Sequence, residues 1–499
     1  MVADGAPADD GVRTGGSPVA GLRGTAVRSF GWAAVSLGGS RLLVFLTTLL
    51  LARLLAPADF GLVAAGLVIV TFLEIALDLG VGSSLVYEQE TGITGRVHTA
   101  FLLNVLVAVT LAGAGVLATP LITRFFHTEG QEALIRVLFG YLVIRGAGQI
   151  QDAVLKRDLR FRERAWSELA GGAVRAGVSV ALAAAGYGAW AIVWGLLVGE
   201  LLATAVRWIQ LGFRPRLRLD LPAARTLMRF GLAVTALRVL STASNNADYL
   251  VVGRYLDVTA LGYYLMSYRL PELVIANAYW VLSSVAFPLY ARARGAGPEA
   301  FRSAVLRTLR LVTLFGFVAG VGLALLARDA VLVLLSPTWA PAITPMVLIS
   351  LALGASAVEY ASGDVFPAVG RPGLLVRLNV PLAVVKLAGF VLAAPYGIVA
   401  VAAVHLGFSV VYAVIRLAVA NRVVGLRFRE DLAAMAPAAW VVGGMLACAL
   451  PVRLLTEPGL GALLLISAAA AAGGTAAVAL GARSTVGELR DLVRAARSR

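Results

Sequence analysis

Eight basic side chains lie inside long apolar stretches of this sequence: Arg41, Arg136, Arg145, Arg175, Arg238, Arg269, Arg310 and Lys386. Carboxylates share those stretches, with Glu74 and Asp78 one helical turn apart, then Glu200, Asp248, Glu272, Glu359 and Asp364. A basic group at the centre of a bilayer costs at least ~2.5–3.5 kcal/mol on insertion scales, so it faces either a partner or a water-filled cavity. Arg41, Arg145, Arg175 and Arg238 outnumber any evident structural need, and together with Arg269 they form a candidate headgroup site. Guanidinium forks suit an anion rich in oxygen acceptors, such as a pyrophosphate. Glu74 and Asp78 could carry a coupling proton or cation, or could neutralise Arg41 on the preceding helix. Asp248, beside Asn245 and Asn246, makes a polar break that suits hydrogen bonding between helices as well as substrate contact. Arg269 and Glu272 stand at i and i+3, close enough for an ion pair. Lys386 completes the set of possible coupling or charge-pairing residues. Arg136, Arg310 and Glu168 fall near the ends of their stretches and are expected to snorkel to the interface.

Other chemistry is excluded. There is no G-x-x-x-x-G-K-[ST] loop and no soluble segment large enough for a nucleotide-binding domain, so the chain does not hydrolyse ATP. The cluster Gly316, Gly320 and Gly322 lies inside an apolar stretch and reads as small-residue helix packing. The single cysteine, Cys448, excludes a disulfide framework, and His98, His127 and His405 lack metal-ligand spacing. No metal and no cofactor is expected. The net charge of +15 does not point to nucleic acid, because the basic residues fall mostly between apolar stretches, with no basic face interleaved with aromatics.

The elements that must position these charges follow from composition. The chain is 59% hydrophobic and 14% charged with a mean hydropathy of +0.85, against roughly a quarter charged in soluble domains. Apolar segments long enough to cross a ~30 Å hydrocarbon core recur throughout. They fall at about 29–51, 59–87, 96–118, 131–152, 166–185, 188–210, 229–252, 260–290, 303–327, 342–368, 373–394, 396–420, 433–450 and 460–481. In lipid every backbone polar group must be paired within its own segment, so these are helices, and the expected fold is an all-α integral membrane protein of about fourteen spans. With the N-terminus placed inside, the loops on the cytoplasmic side hold thirty Lys and Arg residues and those on the other side five. That asymmetry predicts both termini in the cytoplasm. Residues 1–28 read as a disordered tail without the apolar core of a cleavable signal, 211–228 as a basic linker and 482–499 as a basic tail.

An internal echo divides the chain. Phe30-Gly31, Arg53-Leu-Leu55 and Gly61 recur as Phe230-Gly231, Arg254-Tyr-Leu256 and Gly262, six spans later. An even number of intervening helices preserves orientation, which predicts a parallel repeat with a pseudo-twofold axis along the membrane normal. The expected units are two six-helix bundles, 29–210 and 229–420, around a central cavity, followed by an added pair over 433–481.

The run L49-L-L-A-R-L-L-A-P-A-D-F-G-L-V-A64, continuing to L73-E-I-A-L-D-L-G-V-G-S-S-L85, resembles the opening of polysaccharide flippases in the multidrug/oligosaccharidyl-lipid/polysaccharide exporter superfamily. The segment A247-D-Y-L-V-V-G-R-Y-L-D-V-T-A-L-G-Y-Y-L-M-S-Y-R-L270, followed by F287-P-L289, is similar to that family's seventh and eighth helices. The resemblance implies alternating access in a bacterial inner membrane. The implied cargo is an oligosaccharide on a polyprenyl pyrophosphate, flipped to the outer leaflet for exopolysaccharide, capsule or other surface-glycan synthesis. Basic cavity residues would receive the headgroup, and a glycan polymerase and glycosyltransferases would be neighbours in the pathway. Such a chain is a transporter and not an enzyme. The rivals are a drug/cation antiporter of the same superfamily, whose cavity should be acidic, and a membrane glycan polymerase, which would need a substantial outer loop carrying carboxylates.

Overall fold

A computed structural model describes residues 38–78, 94–212, 239 and 242–481, and the described residues contain helices and no strand. We number the helices α1 (38–54), α2 (Pro57–Asp78), α3 (Thr94–Phe126), α4 (Glu132–Arg157), α5 (Phe161–Ala184) and α6 (Ala189–Leu211). The second half holds α7 (Ala247–Tyr255), α8 (Val258–Pro271, continued by Asn277–Gly295), α9 (Pro298–Ala330), α10 (Ile343–Gly363), α11 (Gly373–Ala393) and α12 (Ile398–Val424). Last come α13 (Phe428–Leu455) and α14 (Leu460–Gly481). Among the described residues ten helices are long and apolar enough to cross a membrane, and the molecule is a multi-pass membrane protein. Arg238, the two tails and most of the 211–228 linker lie outside the described residues.

Packing partners recur along the chain. In the N-terminal half α4 packs on α3 and on α6, α6 on α5, and α2 on α4. Six helices later α10 packs on α9 and on α12, α12 on α11, and α8 on α10. Helices α13 and α14 form a pair lying against α9. The glycines expected to bring helices together do so: a Cβ on Gly316 or Gly320 would stand within about 3 Å of Gly354 on α10.

The halves meet most closely where α2 crosses α8. A Cβ added to Gly61 would lie 1.6 Å from the Val258 carbonyl oxygen, and one added to Gly262 would lie 2.0 Å from that of Pro57. Only glycine permits this approach. The two contacts exchange with each other under a shift of 201 residues, as contacts across a twofold axis do. At the same end of the molecule Arg53 donates to the carbonyls of Val333 (2.5 Å) and Leu334 (3.1 Å) beyond α9. Its counterpart Arg254 donates to His127 Nε2 at 3.0 Å, beyond α3, and covers the Phe125 ring. Trp339, fully buried in the turn between α9 and α10, donates to the Ala52 carbonyl at 2.7 Å. These contacts latch the two halves together at one end.

Short motifs set the corners of that latch. Pro57 opens α2, where a missing N–H costs nothing. The Asp59 carboxylate accepts from the Ala56 N–H and, at 3.0 Å, from the Ala189 N–H at the start of α6. Asp257 caps α8 through the Ala260 N–H. Two breaks lie deeper. The polar run at Asn246 interrupts the helix ahead of α7, and after Pro271 α8 widens into a π turn over Glu272–Ala276. Proline removes a donor and crowds the preceding turn, and π turns gather at functional positions.

Candidate functional site

The N-terminal half holds a network of opposite charges on three helices. On α4, Arg145 donates through Nε to Glu74 of α2 at 3.0 Å and through Nη1 to Glu200 of α6 at 3.1 Å. Glu200 also accepts from Arg207 at 3.3 Å, whose guanidinium is 2% exposed. Glu74 therefore neutralises Arg145 and not Arg41, a correction to the sequence expectation. Asp78 is the last residue of α2, and its side chain lies outside the described part of the structure.

Other arginines remain uncommitted. Arg41 and Arg175 donate to no carboxylate or carbonyl among the described residues, and the buried Nε of Arg269 has no hydrogen-bond acceptor. The Arg269–Glu272 pair expected from their spacing is stretched to 4.0 Å. Each of these three arginines shares a cavity wall with the other two. Arg41 and Arg175 line a cavity of about 280 Å³, Arg41 and Arg269 one of about 370 Å³, and Arg175 and Arg269 a narrow one of about 50 Å³. Unpaired guanidiniums are costly in a dry interior, but here they face open space between α1, α5 and α8. Arg145 lines the 280 Å³ cavity as well, already held by its two carboxylates.

A cavity of about 620 Å³ lies against the C-terminal half. Arg269 and Glu272 line both it and the 370 Å³ cavity, so the two meet at the π turn of α8. Its walls are aromatic and polar, with Tyr249, Tyr268, Tyr360, Phe408 and Tyr412 interleaved with Asn245, Asn379 and Ser409. The carboxylates here are engaged. Asp248, 1% exposed, accepts from Tyr264 (3.0 Å) and Tyr268 (2.5 Å), and His405 Nδ1 lies 2.8 Å from the same Tyr268 hydroxyl. Glu359 of α10 accepts from Arg416 of α12 at 3.0 Å, and Tyr412 donates to Asn379. Lys386 of α11 lines the cavity with its ammonium over the rings of Phe390 (5.4 Å) and Phe408 (5.7 Å).

Residues 50–344 match the family model described as polysaccharide biosynthesis protein, more than half of the chain. The chain belongs to this family. It is similar to the succinoglycan biosynthesis transport protein ExoT of Rhizobium meliloti (strain 1021), with 28% identity over 66% of this chain and 66% of that one. It is also similar to the lipopolysaccharide biosynthesis protein WzxC of Escherichia coli K12, with 24% identity over 66% and 67%. These matches thus span about two thirds of the relatives' length. Its fold matches that of the lipid II flippase MurJ in an inward closed conformation, with a TM-score of 0.72 and 12% identity, over 91% of this chain and 99% of that one. The chain thus shares the fold of that flippase, and it belongs to a polysaccharide biosynthesis family, as the two quoted sequence corners implied.

Within this polysaccharide biosynthesis protein the structure brings together Arg41, Arg145, Arg175 and Arg269 from the expected headgroup set. It places Asp248, Glu272 and Lys386 in or beneath the walls of the larger cavity. Two buried, ion-paired cations were not singled out from the sequence. Arg207 and Arg416 fall inside the expected spans 188–210 and 396–420 but were tallied with the cytoplasmic basic residues, and both are buried in α6 and α12. Each is the nineteenth residue of its helix, in the sixth and twelfth helices, a correspondence that sequence alone could have raised.

Proposed function

We propose that this protein flips a polyprenyl-pyrophosphate-linked oligosaccharide from the cytoplasmic to the outer leaflet of a bacterial inner membrane by alternating access. The observation that carries this reading is the group Arg41, Arg175 and Arg269, three guanidiniums that share cavity walls at the junction of the two halves, with only the 4.0 Å contact of Arg269 to Glu272 among them. Forked donors converging on open space suit the oxygens of a pyrophosphate. The 620 Å³ cavity beside them offers room and hydroxyl-rich walls for sugars. The relatives, one a transport protein of succinoglycan biosynthesis, support the same class of cargo.

In this reading the chain crosses the membrane fourteen times with both termini in the cytoplasm. The thirty-to-five bias in basic loop residues supports that topology, and it loses little when Arg207 and Arg416 move from loops into helices. The recurrence of packing partners six helices on, and the exchange of the Gly61 and Gly262 contacts, support two parallel repeats that rock against each other. The latch of Arg53, Arg254 and Trp339 then closes the outer side. No step in this cycle makes or breaks a covalent bond, so the protein acts as a transporter that supplies a glycan polymerase and receives substrate from glycosyltransferases. An antiporter of cationic drugs is the weaker reading, because arginines line the N-terminal cavity in excess of carboxylates.

The test is transport by the purified protein in liposomes, using a fluorescent polyprenyl-pyrophosphate oligosaccharide and a membrane-impermeant quencher. Protein-dependent passage of the label between leaflets, reduced by Arg175→Ala, is the expected result. Passage at the rate of empty liposomes would reject the proposal.

A further inference from the structure

Helices α3 and α9 pack alike in the two halves and are both 33 residues long, but only one of them is covered on its outer face. On α9 the residues Leu314, Val318, Val321 and Leu325 recur at helical spacing and join the apolar cluster made by α13 and α14. On α3 the matching face is bare. Leu117 and Leu121, which stand where Val321 and Leu325 stand when counted from the start of each helix, are 83% and 71% exposed. Lipid tails cover apolar side chains as well as a helix does, so apolar burial alone gives α13 and α14 little to contribute. What the pair adds over lipid is polar contact.

Those contacts stand at the two ends of α9. At one end Arg302 donates to Glu430, near the start of α13, at 3.2 Å. At the other, roughly 40 Å along the helix, Arg453 of α13 donates to the carbonyls of Ala324 (3.2 Å) and Leu325 (3.0 Å). Asp329, 2% exposed, accepts there from the Gly459 N–H in the turn between α13 and α14, at 3.2 Å. Just beyond Asp329 the chain enters the π turn Val331–Leu335, whose Val333 and Leu334 carbonyls are the acceptors of Arg53 in the latch. A hydrogen bond to a turn carbonyl joins two bodies only as firmly as the turn is itself held, because ordering a free backbone segment opposes the bond. Among the described residues no helix pair stands behind α3, and Arg254 meets an exposed ring there, His127.

We infer that α13 and α14 back the latch by holding the π turn of α9 in place, and that Asp329 and Arg453 are positioning residues that keep the Val333 and Leu334 carbonyls aimed at Arg53. The inference rests on the alternating-access reading, in which the latch opens and closes, and is indifferent to the cargo. It gives the added helix pair, which lies outside the recurring packing of the two halves, a part in the cycle. One face of the latch is anchored, while the other, at the end of α3, is free to move with the N-terminal half.

The test uses the full-length protein in oriented membrane vesicles, carrying Cys448→Ser and Ser356→Cys, and follows the rate at which an impermeant maleimide added on the latch side labels the cavity thiol. Arg53→Ala should raise that rate roughly three- to tenfold, the share of a hydrogen bond in the latch. Asp329→Ala and Arg453→Ala should each raise it by a similar factor and add nothing in combination with Arg53→Ala, because they act through its acceptors. Asp329→Asn, which keeps an acceptor for the Gly459 N–H, should label at the parent rate. Glu430→Ala loosens the same helix pair at the far end of α9 and should leave labelling unchanged. A parent rate in Asp329→Ala, effects that multiply with Arg53→Ala, or a rate raised as much by Glu430→Ala would overturn the inference, the last by showing loss of stability in place of loss of aim. A response to Arg53→Ala alone rejects only the role of α13 and α14, whereas no response to Arg53→Ala rejects the latch itself and the inference with it.

Discussion

The two halves of the molecule repeat one arrangement of packed helices and fill it with different electrostatics. Four arginines line the N-terminal cavity, Arg41, Arg145, Arg175 and Arg207, against the carboxylates Glu168 and Glu200. Glu168 is already bound to Arg164. The C-terminal cavity has two cations, Arg269 and Lys386, facing two carboxylates, Glu272 and Glu359, among five tyrosines. A surplus of guanidinium attracts a multiply charged anion, while balanced charge among aromatic and amide groups accommodates a polyol. The contrast shows how one scaffold can receive both ends of an amphiphilic, charged cargo. The packing of the helices is shared, and the halves differ in which buried ions have partners.

The contrast breaks most visibly at the buried pairs. Arg416 is the sole basic partner within ion-pair distance of Glu359 among the described residues, whereas Glu200 has both Arg145 and Arg207. Arg416→Ala is expected to destabilise the protein by about 3–5 kcal/mol, because it strands a buried carboxylate. Arg207→Ala should cost clearly less. Replacing Glu359 and Arg416 together by methionine should recover most of the loss. Unfolding in mixed micelles checks this ordering, and equal losses for the two single variants would remove the asymmetry. Next in size is the headgroup site. Arg175→Ala should lower transport roughly 10- to 100-fold, the equivalent of one or two charge-assisted hydrogen bonds, with stability little changed because Arg175 has no partner to abandon. Liposome assays alongside melting curves check both halves of that statement.

How much of this was legible in the sequence depended on the distance between partners. The apolar runs predicted the helices, since lipid leaves the backbone no alternative, and the arginines within them marked the cavity. What sequence could not do was separate Arg145 from Arg175. Both sit in the interior of apolar helices, but the carboxylates that neutralise Arg145 are 71 and 55 residues away in the chain. The same limit explains why one of the two readings of Glu74 paired it with Arg41, on the nearest helix in sequence, where Arg145 of α4 is its partner in space. Arg207 and Arg416 were misplaced for a different reason. Arg207 stands about one turn and Arg416 just over two turns from its helix end, where hydropathy falls and a loop looks as good as a buried turn. The echo of Gly61 in Gly262, by contrast, rested on few residues and pointed to the tightest contact between the halves.

That contact supplies the smaller predictions, which leave the charges of both halves intact and test the frame joining them. A methyl group at Gly262 would meet the Pro57 carbonyl, so Gly262→Ala should cost about 1–3 kcal/mol through overpacking. It should also favour the state in which the latch is open. With Cys448 replaced by serine, a cysteine at Ser356 in the cavity wall should become more reactive toward an impermeant maleimide added from the latch side. Unchanged reactivity would mean that α2 and α8 do not part there. Arg254→Ala should have the least effect, below about 1 kcal/mol, because its contacts with His127 and Phe125 are exposed. A shift of more than that in the melting curve would give the latch a larger ionic share than its geometry implies.

The central claim is that arginines from both halves converge on one anion. Cryo-electron microscopy of the protein bound to a polyprenyl-pyrophosphate oligosaccharide tests it directly. The account predicts pyrophosphate density within hydrogen-bonding reach of Arg175 and Arg269, with the sugars extending past the π turn of α8 toward Lys386. Pyrophosphate density lodged among Tyr412, Asn379 and Lys386 instead, with the arginines facing water, would contradict it.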